Sequence, residues 1–226
     1  AELAITQIMR LLRNTKRFET LQRNGDLRWA PEIGEELHTK TVGIFGTGRI
    51  GRVLLDICRG FGAKVIAYDP FRNPELEKQG IYVDTPDDLF KKADIISLHV
   101  PAVKENEHMV NEKTLSEMKD GSYIINAARG TLIDTDALIK ALDSGKIAGV
   151  ALDTYEGEVG VFNEDFPYFS AIPDEKLKNL MERDNVLVSP HIAFYTKTAV
   201  QNMVEFSMDA NRDLIKTGNS NKVVKF

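Results

Sequence analysis

The chain has 226 residues and a formal net charge of −5, with 42% hydrophobic and 28% charged residues. These values are ordinary for a globular protein with one sizeable core or two small ones, and the lack of a long basic run argues against a nucleic-acid or membrane surface. No apolar run approaches the ~18 residues of a membrane span and no signal-peptide pattern precedes the first helix, so we expect a cytoplasmic protein. The single cysteine, Cys58, excludes a disulfide or a cysteine-based metal site within one chain.

Two helices and a connector are predicted for residues 1–40. The helix over 2–14 has an apolar stripe on one side, and a second helix over 15–23 stops at an Asn-Gly pair. The connector over 26–40 contains Trp29. Because the first helical pattern begins without a start signal, we interpret the sequence as part of a longer chain.

From Thr41 onward, apolar strands alternate with helices, which predicts an α/β fold with a doubly wound parallel sheet. The predicted strands are 42–45, 64–68, 94–98, 122–126, 147–152 and 186–188, and the predicted helices are 49–59, 86–92, 111–118, 134–144, 174–183 and 197–216. The segment 156–173 fits neither state. Loops of this length within a domain are usually functional or disordered, and the aromatic residues of this one favour packing.

A glycine-rich turn follows the first predicted strand. Gly46, Gly48 and Gly51 form a G-x-G-x-x-G pattern before a helix, and Asp69 closes the next strand. In a Rossmann-type fold, the glycines allow a tight turn, the approach of a pyrophosphate and close helix packing, while the acid binds a ribose hydroxyl. A glycine turn alone is weak evidence, since other α/β proteins contain one. The order of strand, turn, helix, strand and acid therefore carries the prediction of a dinucleotide site.

Charged side chains follow three later strands. Arg129 comes after the fourth strand, Asp153, Glu156 and Glu158 after the fifth, and His191 after the sixth. Ligands of open α/β sheets bind at the carboxyl ends of the strands, so we expect these side chains to meet. Arginine can clamp a carboxylate, and a histidine oriented by a carboxylate can act as a general acid or base. Spacing alone does not choose between Glu156 and Glu158.

Each of these residues also has a structural interpretation. A single arginine in a loop is commonly a surface ion pair, a histidine after Ser-Pro is commonly a turn residue, and loop acids are commonly solvated. Because these residues all lie at the ends of successive strands, we favour a functional role over a structural one. We assign no role to His38 and His108, we interpret His99 as structural, and no cluster has metal-ligand spacing.

Six motifs carry a resemblance to a known family: GTGRIGR, AYDPF, LHVPA, NAARGTLIDTDALI, ALDTYEGEVGVFNED and SPHIAFYT. In this order they resemble the NAD-dependent D-2-hydroxyacid dehydrogenases, most closely the D-lactate dehydrogenase branch. The resemblance implies reversible hydride transfer between NADH and a small 2-keto acid, from pyruvate to D-lactate, with a D-2-hydroxyisocaproate-type enzyme as the alternative.

The resemblance also implies residue roles. Arg129 would bind the substrate carboxylate, His191 would exchange the proton, and Glu158 would pair with His191. The implied cofactor-binding positions are Gly46, Gly48, Arg49, Ile50, Gly51, Asp69, Val100, Pro101, Asn106, Ala127, Ala128, Arg129 and Asp153. Ala127 and Ala128 depart from the Val-Ser often found in the lactate branch, but small residues are retained.

The resemblance implies a domain organisation as well. We expect one NAD-binding domain over 1–226, with hinge or dimer-arm helices and a connector over 1–40, a Rossmann core over 41–195, and a C-terminal helix and tail over 196–226. Most of an N-terminal substrate domain would be absent, and the parent enzyme would be a homodimer. The piece alone is expected to bind NAD without turnover.

Two other classes of protein remain open at this point. One is a non-catalytic NAD-sensing module with the same fold, which turnover of a 2-keto acid would exclude. The other is a methyltransferase, for which the Arg, Glu and His set would have no role.

Overall fold

The computed structural model describes residues 1–221 and divides the chain into two units, Ala1–His191 and Ile192–Phe226. The part of the predicted C-terminal tail over 222–226 lies outside the described residues. Over residues 1–221, none of the helices combines the length and apolarity needed to cross a bilayer.

A six-stranded parallel sheet forms the first unit, in the order β2-β1-β3-β4-β5-β6. The strands are β1 Thr41–Phe45, β2 Lys64–Tyr68, β3 Ile95–Leu98, β4 Ser122–Asn126, β5 Ile147–Leu152 and β6 Val186–Val188. The predicted α/β fold class is therefore confirmed, and each predicted strand agrees with an observed one to within a residue at either end.

Eight helices are described in the first unit: α1 Glu2–Leu12, α2 Thr15–Arg23, α3 Arg49–Gly60, α4 Pro74–Lys78, α5 Pro86–Lys92, α6 Glu112–Glu117, α7 Thr135–Asp143 and α8 Glu175–Glu182. Only α4 lacks a sequence prediction. Its five residues are too few to show a helical period, and it depends on the Asn73 side chain, which accepts hydrogen bonds from two first-turn amides.

Apolar side chains cover both faces of the sheet. Helices α1 and α3 pack on one face through residues such as Ile8 and Leu54, and α5 to α8 pack on the other through residues such as Phe90 and Leu138. Burying one such side chain contributes about 1.5–3 kcal/mol. Helix α1, predicted as a hinge or dimer-arm helix, is a core helix of this unit.

A half-buried ammonium group links α2 to the neighbouring helix α8 and to the sheet. Lys16 Nζ donates to the backbone carbonyls of Met181, Arg183 and Val186, at 2.6, 2.7 and 2.9 Å. Burial lowers the pKa of Lys16. The three donors of the ammonium group thereby join α2 to the end of α8 and to the first residue of β6.

The second unit is described to Asn221 and consists mainly of the helix α9, Lys197–Thr217. Thr196 caps its first turn by accepting a hydrogen bond from the Ala199 amide, and Gly218 ends it with φ 72°. Apolar side chains of α9 such as Met203 and Met208 are exposed.

Candidate active site

The strand order reverses beside β1, because β2 lies on one side of it and β3 on the other. Such a switch point opens a crevice at the carboxyl ends of the strands. Gly46 follows β1 with φ 96°, and a Cβ atom there would lie 2.7 Å from the carbonyl oxygen of His99 and 2.9 Å from Cγ1 of Val100. Only glycine therefore allows the loops after β1 and β3 to approach this closely.

The glycine turn leads directly into α3. A Cβ atom at Gly51 would lie 2.0 Å from the Gly46 carbonyl oxygen, whereas the space around Gly48 is open to at least 4 Å. Gly48 is the N-cap of α3 and provides no side-chain acceptor for the first-turn amides. Within residues 1–221, the exposed Arg49 makes no ion pair, and Ile50 beside it is 57% exposed. These groups fit the pyrophosphate of a dinucleotide, which needs free amides and positive charge.

Asp69 follows β2 and is held in one orientation by three hydrogen bonds. Its Oδ2 accepts from the Thr47 amide at 2.7 Å and from the Thr47 hydroxyl at 3.0 Å, and its Oδ1 accepts from the Phe71 amide at 2.8 Å. A carboxylate has about four acceptor positions. Asp69 thus retains acceptor capacity on Oδ1 at the place where the fold binds the adenosine ribose.

The loop after β3 carries Val100, Pro101 and Asn106. The Asn106 side-chain amide donates to the Pro101 carbonyl at 3.0 Å, which braces this loop internally. Val100 packs against the core, while Pro101 is exposed at the crevice edge. These predicted cofactor positions therefore lie on the loop next to the glycine turn.

The loop after β4 is organised by Asn126, which is 1% exposed. Its Oδ1 accepts from the Ala128 amide at 3.1 Å, and its Nδ2 donates to the Arg129 carbonyl at 2.8 Å. The Arg129 side chain is exposed, and its Nη1 donates to the Ala128 carbonyl at 2.6 Å. Within residues 1–221, Arg129 forms no ion pair with a carboxylate, so its guanidinium group can still take one from a ligand.

His191 and Glu158 are in contact. His191 Nδ1 lies 3.0 Å from Glu158 Oε1, and Glu158 Oε2 accepts from the Tyr155 amide at 2.9 Å. His191 has φ 55°, a left-handed conformation that is uncommon for residues other than glycine. Its backbone amide donates to the Asp153 carbonyl at 2.8 Å. The strained backbone and the carboxylate together set the direction of the imidazole ring.

Asp153, implied to lie near the nicotinamide, is a buried residue directly after the end of β5. It is 3% exposed, and its Oδ1 accepts from the Ser189 hydroxyl at 2.6 Å. Ser189 precedes His191 in the loop after β6, so this bond fixes the loops after β5 and β6 to each other. Sequence reasoning did not single out Ser189.

Gly130 joins the loop of Arg129 to the loop of Glu158. A Cβ atom at Gly130 would lie 2.1 Å from both the carbonyl carbon and the carbonyl oxygen of Tyr155. The backbone after Arg129 therefore lies directly on the backbone that leads to Glu158. Any larger residue at position 130 would force these two loops apart.

The two candidate acids have separate partners. Glu156 Oε1 lies 2.5 Å from His108 Nε2, and Glu156 Oε2 accepts from the Thr135 hydroxyl at 2.8 Å. The Glu156 hydrogen bond raises the pKa of His108. Burial opposes ionisation of Glu156, but the bonds from Thr135 and His108 outweigh it and lower the pKa of Glu156. The structure therefore brings Glu158, not Glu156, to His191.

The remaining histidines lie outside this arrangement. His99 Nε2 lies 2.9 Å from the Ser97 hydroxyl, and burial lowers the pKa of His99 to about 4. His99 is consequently neutral near pH 7 and is held by a neighbouring serine. His38 lies in the segment before β1, 3.6 Å from Glu36.

The sequence model of the family described as "D-isomer specific 2-hydroxyacid dehydrogenase, NAD binding domain" matches residues 5–193. The chain belongs to this family. It is 59% identical over 226 residues to a D-lactate dehydrogenase of Lactiplantibacillus plantarum, and the alignment covers all of this chain and 68% of that relative.

Solved structures resemble this 2-hydroxyacid dehydrogenase domain closely. The crystal structure of D-lactate dehydrogenase with NAD+ from Lactobacillus jensenii has a TM-score of 0.90 at 40% identity, covering 100% of this chain and 68% of that one. The structure of a D-2-hydroxyisocaproate dehydrogenase has a TM-score of 0.86 at 41% identity, covering 97% of this chain and 66% of that one.

These findings confirm the predicted family, the Rossmann-type NAD-binding fold and the class of NAD-dependent, D-lactate dehydrogenase-like oxidoreductases. The methyltransferase alternative is wrong. The residue-by-residue roles, the domain organisation and the dimer stay predictions.

Proposed function

We propose that this chain is the NAD-binding part of a D-lactate dehydrogenase that interconverts pyruvate and D-lactate. The observation that carries the proposal is the His191–Glu158 pair, 3.0 Å apart, on the same sheet edge as Arg129. A proton-exchanging imidazole and a cation that has no carboxylate partner within residues 1–221 are the two groups that reduction of a 2-keto acid requires. Identity of 59% to a D-lactate dehydrogenase supports the choice of substrate.

Arg129 binds the substrate. Its planar guanidinium group forms two parallel hydrogen bonds with the carboxylate of a 2-keto acid, which fixes the orientation of the adjacent carbonyl. Asn126 holds the backbone of the Arg129 loop through two hydrogen bonds. The cation is thus positioned before the substrate arrives, which lowers the entropic cost of the reactive geometry.

His191 exchanges the proton. Because Nδ1 is engaged by Glu158, the proton passes through Nε2, from imidazolium to the carbonyl oxygen in reduction and back in oxidation. Glu158 holds the ring orientation and stabilises the imidazolium, and the Tyr155 amide in turn holds Glu158.

The glycine turn, Arg49 and Asp69 hold the cofactor. When bound, NADH supplies the hydride that is transferred to the keto carbon. Asp69 accepts a hydrogen bond from the ribose and repels a 2′-phosphate, so NADH is used in preference to NADPH. Val100, Pro101, Asn106, Ala127, Ala128 and Asp153 line the remaining length of the crevice.

A longer, dimeric enzyme is part of this proposal. The chain spans 68% of the length of the relative from L. plantarum, and we assign the remaining length to a substrate domain that supplies the other wall of the cleft. The connector before β1 exposes Leu27, Trp29 and Ile33, at 81, 83 and 87%. Three large apolar side chains in one exposed segment fit a contact with a second copy.

A panel of 2-keto acids tests the reaction. The complete enzyme is assayed with NADH and pyruvate, phenylpyruvate or 2-ketoisocaproate, and we expect the highest kcat/KM with pyruvate. A clear preference for 2-ketoisocaproate would assign the enzyme to the D-2-hydroxyisocaproate type. Absence of turnover with every acid, despite NADH binding, would favour an NAD-sensing module and overturn the proposal.

A further inference from the structure

Asp69 ends a chain of hydrogen bonds that begins at the backbone of Asn73. The Asn73 amide donates to the Tyr82 hydroxyl oxygen at 3.0 Å, the Tyr82 and Thr47 hydroxyls lie 2.6 Å apart, and the Thr47 hydroxyl lies 3.0 Å from Asp69 Oδ2. Three groups from three separate segments therefore form a continuous chain of hydrogen bonds that leads to one carboxylate. The glycine pattern did not point to Tyr82, which follows β2 by fourteen positions in the sequence.

The hydrogen bonds of this chain can run in only one direction, because each hydroxyl group has a single proton to donate. An ionised Asp69 can only accept, so the Thr47 hydroxyl donates its one proton to Oδ2. Tyr82 must then donate to Thr47 Oγ1, and the Tyr82 oxygen accepts from the Asn73 amide. Every bond is oriented towards the carboxylate, an arrangement in which successive bonds polarise and strengthen one another.

Both the backbone around Tyr82 and its ring are held by neighbouring residues. Its neighbours Ile81 and Val83 exchange backbone hydrogen bonds with Ala67 of β2, each 2.9 Å long. The guanidinium carbon of Arg72 lies 5.4 Å from the centre of the Tyr82 ring, within cation–π range. The hydroxyl is consequently fixed relative to the strand that Asp69 follows.

The Thr47 bonds determine which oxygen of Asp69 remains available. Oδ2 accepts two hydrogen bonds from Thr47, whereas Oδ1 accepts one from the Phe71 amide. A carboxylate oxygen accepts about two hydrogen bonds, so Oδ1 is the atom that takes a ribose hydroxyl. An Asp69 free to rotate would lose this preorganisation and could also turn away from a 2′-phosphate.

We propose that Tyr82, acting through the Thr47 hydroxyl, is a positioning residue that sets the discrimination between NADH and NADPH. The inference rests on the proposed role of Asp69 as the ribose acceptor. Tyr82 touches neither substrate nor reacting atoms, and acts by holding the carboxylate in the orientation that binds a 2′-hydroxyl and repels a 2′-phosphate.

Direct binding measures this discrimination without turnover. The dissociation constants of NADH and NADPH are determined by isothermal titration calorimetry on the complete enzyme and its variants. Tyr82→Phe keeps the ring beside Arg72 and removes only the hydroxyl. In this variant, we expect the dissociation constant of NADPH divided by that of NADH to fall roughly three- to tenfold. Thr47→Val, which removes the same link, should lower the ratio similarly.

Two variants control for general damage at the site. Thr47→Ser retains the hydroxyl and should retain the ratio of the unaltered enzyme. Tyr68→Phe removes a tyrosine hydroxyl that makes no hydrogen bond within residues 1–221, while its ring contact with Phe45 at 5.2 Å is kept. Its ratio should stay unchanged. If Tyr82→Phe fails to fold, the comparison of Thr47→Val with Thr47→Ser decides the question by itself.

Asp69→Ala separates this inference from the proposed function. A lower ratio in Asp69→Ala together with unchanged ratios in Tyr82→Phe and Thr47→Val would overturn the role of Tyr82 and leave the role of Asp69 intact. An unchanged ratio in Asp69→Ala would overturn the proposed ribose contact and, with it, the inference. Equal reductions in Thr47→Val and Thr47→Ser would also contradict the role of the hydroxyl.

Discussion

The charged residues at the sheet edge differ in the partners that folding gives them. Arg129 is exposed, and within residues 1–221 it has no carboxylate partner. Glu158, in contrast, is shared between the His191 imidazole and the Tyr155 amide. A cation with free donors suits ligand binding, while a histidine with a fixed carboxylate suits proton exchange. The division of roles follows from hydrogen-bond partners rather than from residue type.

Replacement of Arg129 by lysine tests the binding role. Lysine keeps the charge but lacks the planar pair of donors, so we expect kcat/KM for pyruvate to fall about 10²- to 10³-fold. Steady-state kinetics of the complete enzyme measure the change. Arg23→Lys is a matched control, because Arg23 is exposed on α2 and makes no ion pair within residues 1–221. Near-native kcat/KM in Arg129→Lys would refute the assignment.

At the scale of elements, the site depends on loops that contact one another across neighbouring strands. Gly130 allows the loop after β4 to lie on the loop after β5, and Ser189 bonds to Asp153 to join the loops after β5 and β6. Glu156 extends this contact to the segment before α6 through His108. The loops therefore form one connected rim, joined by short contacts.

The His108–Glu156 pair should make stability depend on pH. The pKa of His108 is raised, first by its bond to Glu156 and further by Asp134 and Glu107, so its contribution is complete below pH ~6.5 and is lost as pH rises through the folded pKa. The pKa of Glu156 is lowered, so its contribution is present above pH ~4.3 and is lost as pH falls through the folded pKa. The pair consequently stabilises most between these values.

Urea unfolding of His108→Gln measures this contribution. Because the His108 side chain is 40% exposed, we expect a loss of only about 0.2–1 kcal/mol near pH 5.5 relative to the unaltered protein, and a smaller loss near pH 8.5. In a Glu156→Gln background, the same substitution should have a much smaller pH-dependent effect, since only Asp134 and Glu107 still raise the pKa of His108. A loss that is larger at pH 8.5 than at pH 5.5 would contradict the assigned ion pair.

At the scale of the whole molecule, the exposed connector is the surface that we propose for contact with a second copy. Trp29 is the single tryptophan of the chain and is 83% exposed. If the connector packs against a partner subunit, the indole ring of Trp29 becomes buried on association. The fluorescence of Trp29 can therefore be used to detect the proposed dimer.

Tryptophan fluorescence and sedimentation velocity test this assembly together. We expect the emission maximum to move to shorter wavelength as the protein concentration rises, in step with a shift from monomer to dimer. Ile33→Glu should weaken the dimer by placing a charge in the contact. Phe71→Glu, at a position that is 88% exposed and outside the connector, should leave it intact. A monomer at every concentration, or equal effects of both substitutions, would refute the connector as the interface.

Local signals were sufficient to predict the strands, the glycine turn and the strand-end positions of Arg129 and His191. They act over short stretches of chain, because backbone hydrogen bonding, burial on both sheet faces and the conformational freedom of Gly46 leave a pattern in neighbouring residues. The motif order then indicated the family and the cofactor. Fold class and the identity of most site positions thus follow from the sequence by itself.

Only the tertiary structure decided which polar groups meet. Glu156 and Glu158 stand two positions apart in one loop, and nothing local distinguishes them. Their partners come from residues 48 and 33 positions away, His108 and His191. The packing of α1 into the core and the link from Tyr82 to Asp69 are of the same kind. Such contacts depend on how segments that are distant in the sequence pack together at the sheet edge. This packing leaves no pattern among neighbouring residues of the sequence.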